Sequence, residues 1–379
     1  MPRSGHDEVL LVTGYPAFGA RQLVAHLLRA QPTALVHALV EPDQLDLAQE
    51  HRASLEPSSR PRLELHEGSV TQIDFGLSGA DYRRLTAEVD RIHHMAFLGH
   101  LDVDRASAER VNLRGTLEAL EFARSCPSLR TLVHHSTAFV AGDRRGEVRE
   151  DELDVGQRFR NHAEATRAQA EQLVREASSR LPVVILRPSS VVGDSQSGEI
   201  DRLDGLYLLV LAVLGAPADL ALPLPSHEAP LHLVPVDYMA RAAHAIGRDG
   251  RAIGQTFHLV DPAPLPTRRA FELIARSASR RTRGSIPPPL ARAILSAPGL
   301  QRIVKNPRAF FDQLLTPVHF DNTHAATLLA STDIRCPPFE SYVDSLVAYV
   351  RGRSQDGPAV RSVDEGRPSL DLDLDEPIS

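Results

Sequence analysis

The stretch that decides the fold lies near the start of the chain and reads Val9-Leu-Leu-Val-Thr-Gly-Tyr-Pro-Ala-Phe-Gly-Ala20. It continues into the amphipathic run Arg-Gln-Leu-Val-Ala-His-Leu-Leu. An apolar strand, a glycine turn and an amphipathic helix in this order predict a βα unit that binds a dinucleotide. The turn brings the N-terminus of the helix, with its free N–H groups and positive dipole end, to a pyrophosphate. The fingerprint is irregular, because Ala17 and Ala20 replace its middle and last glycines.

Apolar strands and helical stretches alternate through the first half of the chain. Further strands are predicted at 35–40, 62–66, 91–96, 131–135 and 182–186, and helices at 106–123 and 163–178. This alternation predicts an α/β fold, a Rossmann-type doubly wound parallel sheet with helices on both faces. Beyond residue 187 the chain is irregular and richer in proline, which predicts a smaller C-terminal lobe.

We expect four parts along the chain. Residues 1–8 form a flexible N-terminus, and residues 9–260 form the Rossmann-type domain, of which 195–235 contributes to a substrate lobe. Residues 261–352 form a small, irregular substrate or cap lobe. Residues 353–379 are rich in Gly, Pro, Ser and charge, which predicts a disordered acidic tail. Their alternating Leu and Asp residues could instead add as a strand to a partner.

Composition excludes several classes of function. The 379 residues are 42% hydrophobic and 24% charged, as in a globular protein. The net charge of −7 does not show the excess of positive charge that is typical of nucleic-acid-binding proteins. The apolar run 205–216 is shorter than the roughly 18 residues that span a bilayer, so it predicts a buried helix or a wall of an apolar cleft. With a polar N-terminus, we expect a cytoplasmic protein. The cysteines and histidines show no recognisable metal spacing, so no metal site is predicted.

Several segments taken together resemble the extended short-chain dehydrogenase/reductases. They are Ile92-His-His-Met-Ala96, Asn112-Leu-Arg-Gly-Thr116, His135-Ser-Thr-Ala138, Arg187-Pro188, the stretch 192–205 and the run from Phe320 to Pro338. The chain looks most similar to the branch that contains fatty acyl-CoA reductases and the thioester reductase domains of synthetases. The resemblance covers about residues 8 to 350, and the ordered co-occurrence of these segments is more specific than a single glycine motif.

The resemblance implies NAD or NADP as the cofactor. The residues that it assigns to cofactor binding are Thr13, Gly14, Ala17, Phe18, Gly19, Ala20, Glu41, Ser69, Val70, Met95, Ala96, Arg167, Arg187 and Pro188. Glu41 follows the glycine motif by about 20 residues, where an acid favours NAD through the ribose 2′-OH. An exposed loop carboxylate is the alternative for this residue. Ser69 stands where the family usually has an aspartate that reaches the adenine.

The resemblance also implies a catalytic set. Thr137, with Ser136 beside it, would polarise a substrate carbonyl, and Asn112 would organise water and backbone near the site. The alternative for Thr137 and Ser136 is a hydroxyl at the strand end that hydrogen-bonds to nearby backbone. The alternative for Asn112 is a buried polar residue that holds a helix in place. The family's tyrosine and lysine are replaced by Ala163 and Arg167. Arginine can still donate to ribose hydroxyls but cannot relay a proton.

The proton donor that comes nearest in sequence is His162. It lies one residue before Ala163, so on a helix it points roughly 100° away. The standard proton relay is therefore absent, which typically costs about 10²–10⁴ in rate.

Two functions follow from these observations. The departures at Ala17, Ser69, Ala163 and Arg167 affect separate steps of one mechanism, and they favour a nucleotide-binding or interaction protein that has lost hydride transfer. The alternative is an active NAD(P)H-dependent reductase of an acyl thioester, aldehyde or other lipophilic carbonyl compound, with a non-standard proton donor. A carrier protein that presents the acyl group is a further expected partner, and the resemblance suggests a homodimer formed through helices that flank the sheet.

Overall fold

A seven-stranded parallel sheet forms the centre of the protein in the computed structural model. The structure describes residues 6–100, 102–203, 205–217, 221–226, 228–286 and 316–355. The sheet strands are β1 Glu8–Tyr15, β2 Ala34–Val40, β3 Leu63–Glu67, β4 Arg91–His94, β5 Thr131–His135, β6 Val183–Pro188 and β7 Thr256–Leu259. Their order is β3-β2-β1-β4-β5-β6-β7, and each neighbouring pair is parallel. The predicted doubly wound sheet is therefore confirmed, with its topological switch between β1 and β4.

The helices of the described residues surround this sheet, some on its two faces and others in a separate lobe. They are α1 Phe18–Ala30, α2 Leu45–Ser54, α3 Gly79–Glu88, α4 Arg105–Arg124 with a π-helical segment at Glu109–Arg114, α5 His162–Ala177, α6 Leu206–Gly215, α7 Val236–Arg248, α8 Thr267–Ser277, α9 Thr323–Leu329 and α10 Val343–Gln355. Short 3₁₀ turns lie at Pro42–Gln44, Arg60–Arg62, Ile73–Gly76, Ala138–Ala141, Gly250–Ala252 and Phe339–Ser341.

Strand β1 shows how the sequence pattern builds two cores. Its Leu10 and Val12 belong to a cluster formed with α1 and α7, whereas Val9 and Leu11 belong to a cluster formed with α3, α4 and α5. Successive side chains of a strand point to opposite faces, so a continuous apolar run is buried on both sides. On α1 the buried Leu23, Val24, Leu27 and Leu28 recur at helical spacing and face the sheet.

The segments after β6 form a third core. Helices α6, α8 and α10 pack together around buried side chains such as Tyr207, Ile274 and Leu346. The predicted buried helix at 205–216 is present as α6. Short parallel ladders join Leu222–Pro225 to Thr282–Ile286 and Leu233–Pro235 to Ser190–Val192.

Residues 316–334 pack against the Rossmann-type part and not with the rest of the predicted C-terminal lobe. Val318–Phe320 pairs with Gly146–Val148, and the buried side chains of α9 join the core of α1 and α7. The chain therefore returns to the Rossmann-type part before α10. Residues 1–5, 287–315 and 356–379, which include most of the predicted flexible N-terminus and all but the start of the predicted tail, lie outside the described residues.

Some predicted element bounds were wrong in ways that affect the site. Strand β4 was predicted to reach Ala96 but ends at His94, because Met95 and Ala96 turn to close on the glycine loop. The helix predicted at 106–123 spans Arg105–Arg124 but contains the π-helical segment around Asn112. Among the described residues, no helix has the length and apolar character needed to cross a membrane.

A buried ion pair joins α5 to β6. The side chains of Glu171 and Arg187 are almost fully enclosed, and two hydrogen bonds of 2.6 and 2.9 Å connect them. Ser136 Oγ at the end of β5 donates to the same carboxylate over 2.6 Å, and Arg175 Nε donates to it over 3.0 Å. This network fixes the distance of α5 from the strand ends.

We expect Glu171→Gln to lower the free energy of unfolding by about 3–5 kcal/mol, because it leaves the buried Arg187 guanidinium without a counter-charge. Equilibrium urea unfolding at neutral pH measures the change. Glu176→Gln, an exposed position on the same helix, is the matched control and should shift stability by less than about 0.5 kcal/mol.

The same pair gives stability a pH dependence of defined sign. Burial alone would raise the pKa of Glu171, but the charge and hydrogen bonds of Arg187, assisted by Arg175 and Ser136, outweigh it and lower this pKa to about 2. A lowered pKa adds stability above the ordinary value of 4.5, and that stability is lost as the pH falls from there toward 2. The stability gap between wild type and Glu171→Gln should shrink over this range. A gap that stays constant on acidification would contradict the ion pair.

Candidate cofactor and active site

The glycine turn after β1 is locked to the end of β4. Gly14 has a φ of +79°, and a Cβ added there would lie 2.6 Å from the carbonyl oxygen of Met95, so only glycine fits. Thr13 Oγ1 accepts hydrogen bonds from the backbone N–H groups of Met95 and Ala96, at 3.1 and 3.2 Å. Four residues of the predicted cofactor set are thus in direct contact at the topological switch.

The N-terminus of α1 directly follows this switch and has no side-chain cap. Ala17 is the N-cap residue and supplies no side-chain cap, so the first N–H groups of the helix have no side-chain acceptor there. Ala20 is buried against the core, whereas a Cβ on Gly19 would make only ordinary contacts with Met95 and Met239. Uncapped N–H groups at the positive end of a helix dipole fit a pyrophosphate.

The residues around this helix end tie it to the loop before α6. Phe18 is half-buried and packs against two of the cores, and Arg21 forms an ion pair with Asp201. The guanidinium of Arg21 also lies over the Phe18 ring, with its Cζ 5.8 Å from the ring centroid.

Glu41, just after β2, is half-buried. Burial raises the pKa of its carboxyl, while hydrogen bonds from the Ser69 hydroxyl and the Val70 backbone N–H oppose that shift. Ser69 Oγ also contacts Thr71 Oγ1 at 2.9 Å. The Glu41 carboxylate thereby joins the ends of β2 and β3. In a Rossmann-type fold, a ribose would lie at this place beside the glycine turn.

Ala163 and Arg167 lie one turn apart on the buried face of α5. Asn161 caps this helix, since its Oδ1 accepts from the Glu164 N–H over 2.9 Å. The Arg167 guanidinium stacks on Phe97, 3.8 Å from the ring centroid, and its Nη2 donates to His135 O over 3.0 Å. Burial lowers the pKa of Arg167 to about 9, with Glu171 opposing, so the group remains a cation at neutral pH.

Asn112 connects the chain after β4 to α5. Its Oδ1 accepts from Leu98 N–H at 2.8 Å, and its Nδ2 donates to Leu98 O and to Thr166 Oγ1 at 3.1 and 2.9 Å. The π-helical segment places this amide inside the protein, where it is buried. Within the described residues, the hydrogen bonds of this amide hold backbone and helix in place.

The hydroxyls at the end of β5 have defined partners. Thr137 Oγ1 accepts from Phe139 N–H and donates to Pro188 O over 3.3 and 3.4 Å, both long contacts. Ser136 instead donates to Glu171, and Arg187 is enclosed with that same carboxylate. Of these groups, the weakly bonded Thr137 hydroxyl is the one best able to turn toward a ligand.

Histidines fill the sheet beneath the site. His94 and His134 stack with their ring centroids 5.7 Å apart, and His94 Nδ1 lies 2.9 Å from Thr13 Oγ1. Burial lowers the pKa of His94 to about 3 and that of His134 to about 4, so both are neutral at physiological pH. His162, the proposed substitute acid, is exposed at the start of α5, whereas Ala163 and Arg167 are buried.

The structure thus groups the predicted residues into clusters. Thr13, Gly14, Met95 and Ala96 form one, Glu41, Ser69 and Val70 a second, Thr137 and Pro188 a third, and Ser136 and Arg187 a fourth. Asn112 and Arg167 line a small cavity with Phe97, Thr116 and His134. Sequence reasoning missed Phe97, Thr166 and Glu171. Glu171 follows Arg167 by four residues, a spacing that places both charged side chains on one face of a helix and that the sequence already shows. The sequence gives no signal for Phe97 other than its position shortly after β4.

Comparison with known proteins gives the family. The profile of an NAD-binding family described as male sterility protein matches residues 12–243. The glycine betaine reductase ATRR of Emericella nidulans is 29% identical over 217 residues, which are 56% of this chain and 17% of that protein. Fatty acyl-CoA reductase 1 of Arabidopsis thaliana is 26% identical over 172 residues, 40% of this chain and 35% of that protein. The chain therefore spans only a minor part of these curated relatives.

A solved structure agrees over nearly the whole chain. The terminal R domain from the myxalamid PKS-NRPS biosynthetic pathway superposes with a TM-score of 0.81 at 26% identity, over 93% of this chain and 92% of that one. The topological switch, the uncapped helix end and the family profile agree with one another. On these grounds the chain belongs to the male sterility protein family of NAD-binding domains, within the branch of the extended short-chain dehydrogenase/reductases that includes the fatty acyl-CoA and thioester reductases.

Proposed function

We propose that this protein binds a nicotinamide dinucleotide, NAD in preference to NADP, and lacks the tyrosine–lysine proton relay of its family. The observation that carries the proposal is Ala163, a buried methyl group one turn before Arg167 on the face of α5 that packs toward the strand ends. The protein is then a nucleotide-binding or interaction protein on a reductase scaffold.

The cofactor part of the proposal rests on three features of the site. The uncapped start of α1 would hold the pyrophosphate, the Gly14 turn would allow its close approach, and Glu41 would accept from the ribose hydroxyls. The Glu41 carboxylate would repel the 2′-phosphate of NADP. Its half-buried position strengthens this discrimination, because partial desolvation reduces screening by water.

The catalytic part rests on what α5 supplies. A bound nicotinamide would deliver or accept a hydride, and the protein's own part is to position the carbonyl and supply the proton. Ala163 has no proton to give, and Arg167 remains a cation held by His135 O and Phe97. His162 is exposed rather than enclosed with these groups. Arg167 is suited to hold ribose hydroxyls and unsuited to act as a general acid.

A second function is favoured by the position of the same guanidinium. Arg167 bonds the backbone of His135, two residues before Thr137, so a cation and a hydroxyl donor lie near one strand end. Such donors stabilise an oxyanion that forms on a thioester or aldehyde carbonyl. An active reductase of a lipophilic carbonyl compound, presented by a carrier protein or as a free thioester, is the alternative, with solvent or a non-standard group as the proton source.

Cofactor preference can be tested by titration calorimetry of the whole chain with NADH and NADPH. We expect NADH to bind at least about tenfold more tightly, a difference of about 1.4 kcal/mol. Glu41→Gln should remove most of the preference, whereas Asp43→Asn, an exposed neighbour, should leave it unchanged. Tighter binding of NADPH by the wild type, or no binding of either at millimolar concentration, would overturn the cofactor proposal.

The missing relay can be tested by restoring it. We expect Ala163→Tyr with Arg167→Lys to raise the rate of NADH oxidation with a fatty acyl-CoA or a long-chain aldehyde by about 10²–10⁴ over wild type. Each single variant should remain near the wild-type rate. Circular dichroism and NADH binding verify that the double variant is folded.

The same assay separates the two functions. Wild-type turnover that already equals that of the double variant and survives His162→Ala would refute the loss of catalysis and the role of that histidine together. Turnover of the wild type that is abolished by His162→Ala would favour the active reductase.

A further inference from the structure

A second cluster of polar side chains lies away from the cofactor site, on the outer strands of the sheet. His37 of β2 pairs in register with Glu64 of β3, and His66 lies two residues further along β3, so all three side chains share one face. His37 Nδ1 is 2.9 Å from His66 Nε2 and 3.5 Å from Glu64 Oε2, and the latter two atoms are 3.8 Å apart. The three atoms therefore lie close enough together to share one metal ion.

We propose that His37 Nδ1, His66 Nε2 and Glu64 Oε2 bind a divalent transition-metal ion of the Zn²⁺ type. Two imidazoles and a carboxylate are a common zinc ligand set, with water in the fourth position. The sequence predicts no metal site because the two histidines are 29 residues apart and only strand pairing brings them together. No spacing motif could reveal them.

The close approach of the two imidazoles supports the site. At 2.9 Å one proton lies between the nitrogens, and a metal that replaces this proton uses both lone pairs. Tetrahedral zinc with Zn–N bonds of about 2.0–2.1 Å holds two nitrogens roughly 3.4 Å apart. The rings need to separate by only about half an ångström, which the strand-edge position of His66 allows.

The opposite nitrogen of His37 also fits metal binding. Within the described residues, His37 Nε2 is buried without a hydrogen-bond partner, and Glu88 Oε2 on α3 lies 3.9 Å from it. A metal on Nδ1 places the imidazole proton on Nε2, and this carboxylate would become its hydrogen-bond acceptor if the two atoms approached by about 0.8 Å. Carboxylates in that position orient metal-binding histidines and increase their basicity.

The charges around the cluster favour a cation. Glu64, Glu88 and Asp81 contribute three carboxylates, and Asp81 interacts electrostatically with His66. Arg84 opposes them, because its Nη1 lies 3.3 Å from Glu64 Oε2 and competes for that carboxylate. The side chains of Glu64 and Arg84 are 42% and 41% exposed, whereas that of His37 is enclosed. A metal ion can therefore reach the cluster from solvent on the side of Glu64. The ion would tie the edge strand β3 to β2.

Calorimetric titration of ZnCl₂ into the untagged, chelator-treated full chain tests the proposal, with CoCl₂ absorption as a second readout. We expect one tight site per chain and a visible cobalt band that zinc abolishes. His66→Ala and Glu64→Gln should each weaken binding by at least about tenfold, since loss even of outer partners costs about 10–100-fold. Arg84→Gln should tighten it, because a competing cation is removed.

The control is His319→Ala, which removes an exposed histidine outside the cluster and should leave zinc affinity unchanged. His37→Ala is not relied on, because a buried substitution can unfold the chain. Wild-type affinity in both His66→Ala and Glu64→Gln, or loss of binding in His319→Ala alone, would overturn the site. Neither result bears on the cofactor, which is measured separately with NADH.

Discussion

The position of α5 against the sheet depends on the buried carboxylate of Glu171. This one group receives hydrogen bonds from Arg187 on β6, Ser136 after β5 and Arg175 on its own helix. Taking two opposite charges out of water is costly unless their geometry and remaining hydrogen bonds are satisfied, and here they are. Because α5 also carries positions 163 and 167, the Glu171 network sets where those two side chains lie.

The residues at positions 163 and 167 can therefore differ between family members while the fold is kept. The fold depends on Glu171, on the apolar faces of α1 and α7 and on the glycine turn, whereas proton transfer in the family depends on two other positions of α5. Alanine and arginine are good helix formers, so α5 tolerates them locally. Retention of fold and family is therefore compatible with either of the two functions, and the site residues have to decide between them.

The sequence predicted the fold because its signals are local. The apolar strands, the alternation with helices and the glycine turn each occupy a few consecutive residues, and their order determines a parallel sheet. Thr13, Gly14, Met95 and Ala96 could be assigned together because the ends of β1 and β4 meet at the switch. The sequence did not predict details that depend on long-range packing. The end of β4 at His94, the π-helical segment at Asn112 and the stack of Arg167 on Phe97 all depend on partners distant in the chain.

The hydrogen bonds of Thr13 to Met95 and Ala96 have a thermodynamic consequence for ligand binding. They attach the glycine turn, the proposed cradle for a pyrophosphate, to two central strands, so the backbone of this turn is ordered without a ligand. A binding loop that must be ordered costs conformational entropy, which subtracts from affinity, and a preorganised one avoids that cost. Affinity for a dinucleotide would then depend on the sheet itself, and it would not require a particular side chain at position 163.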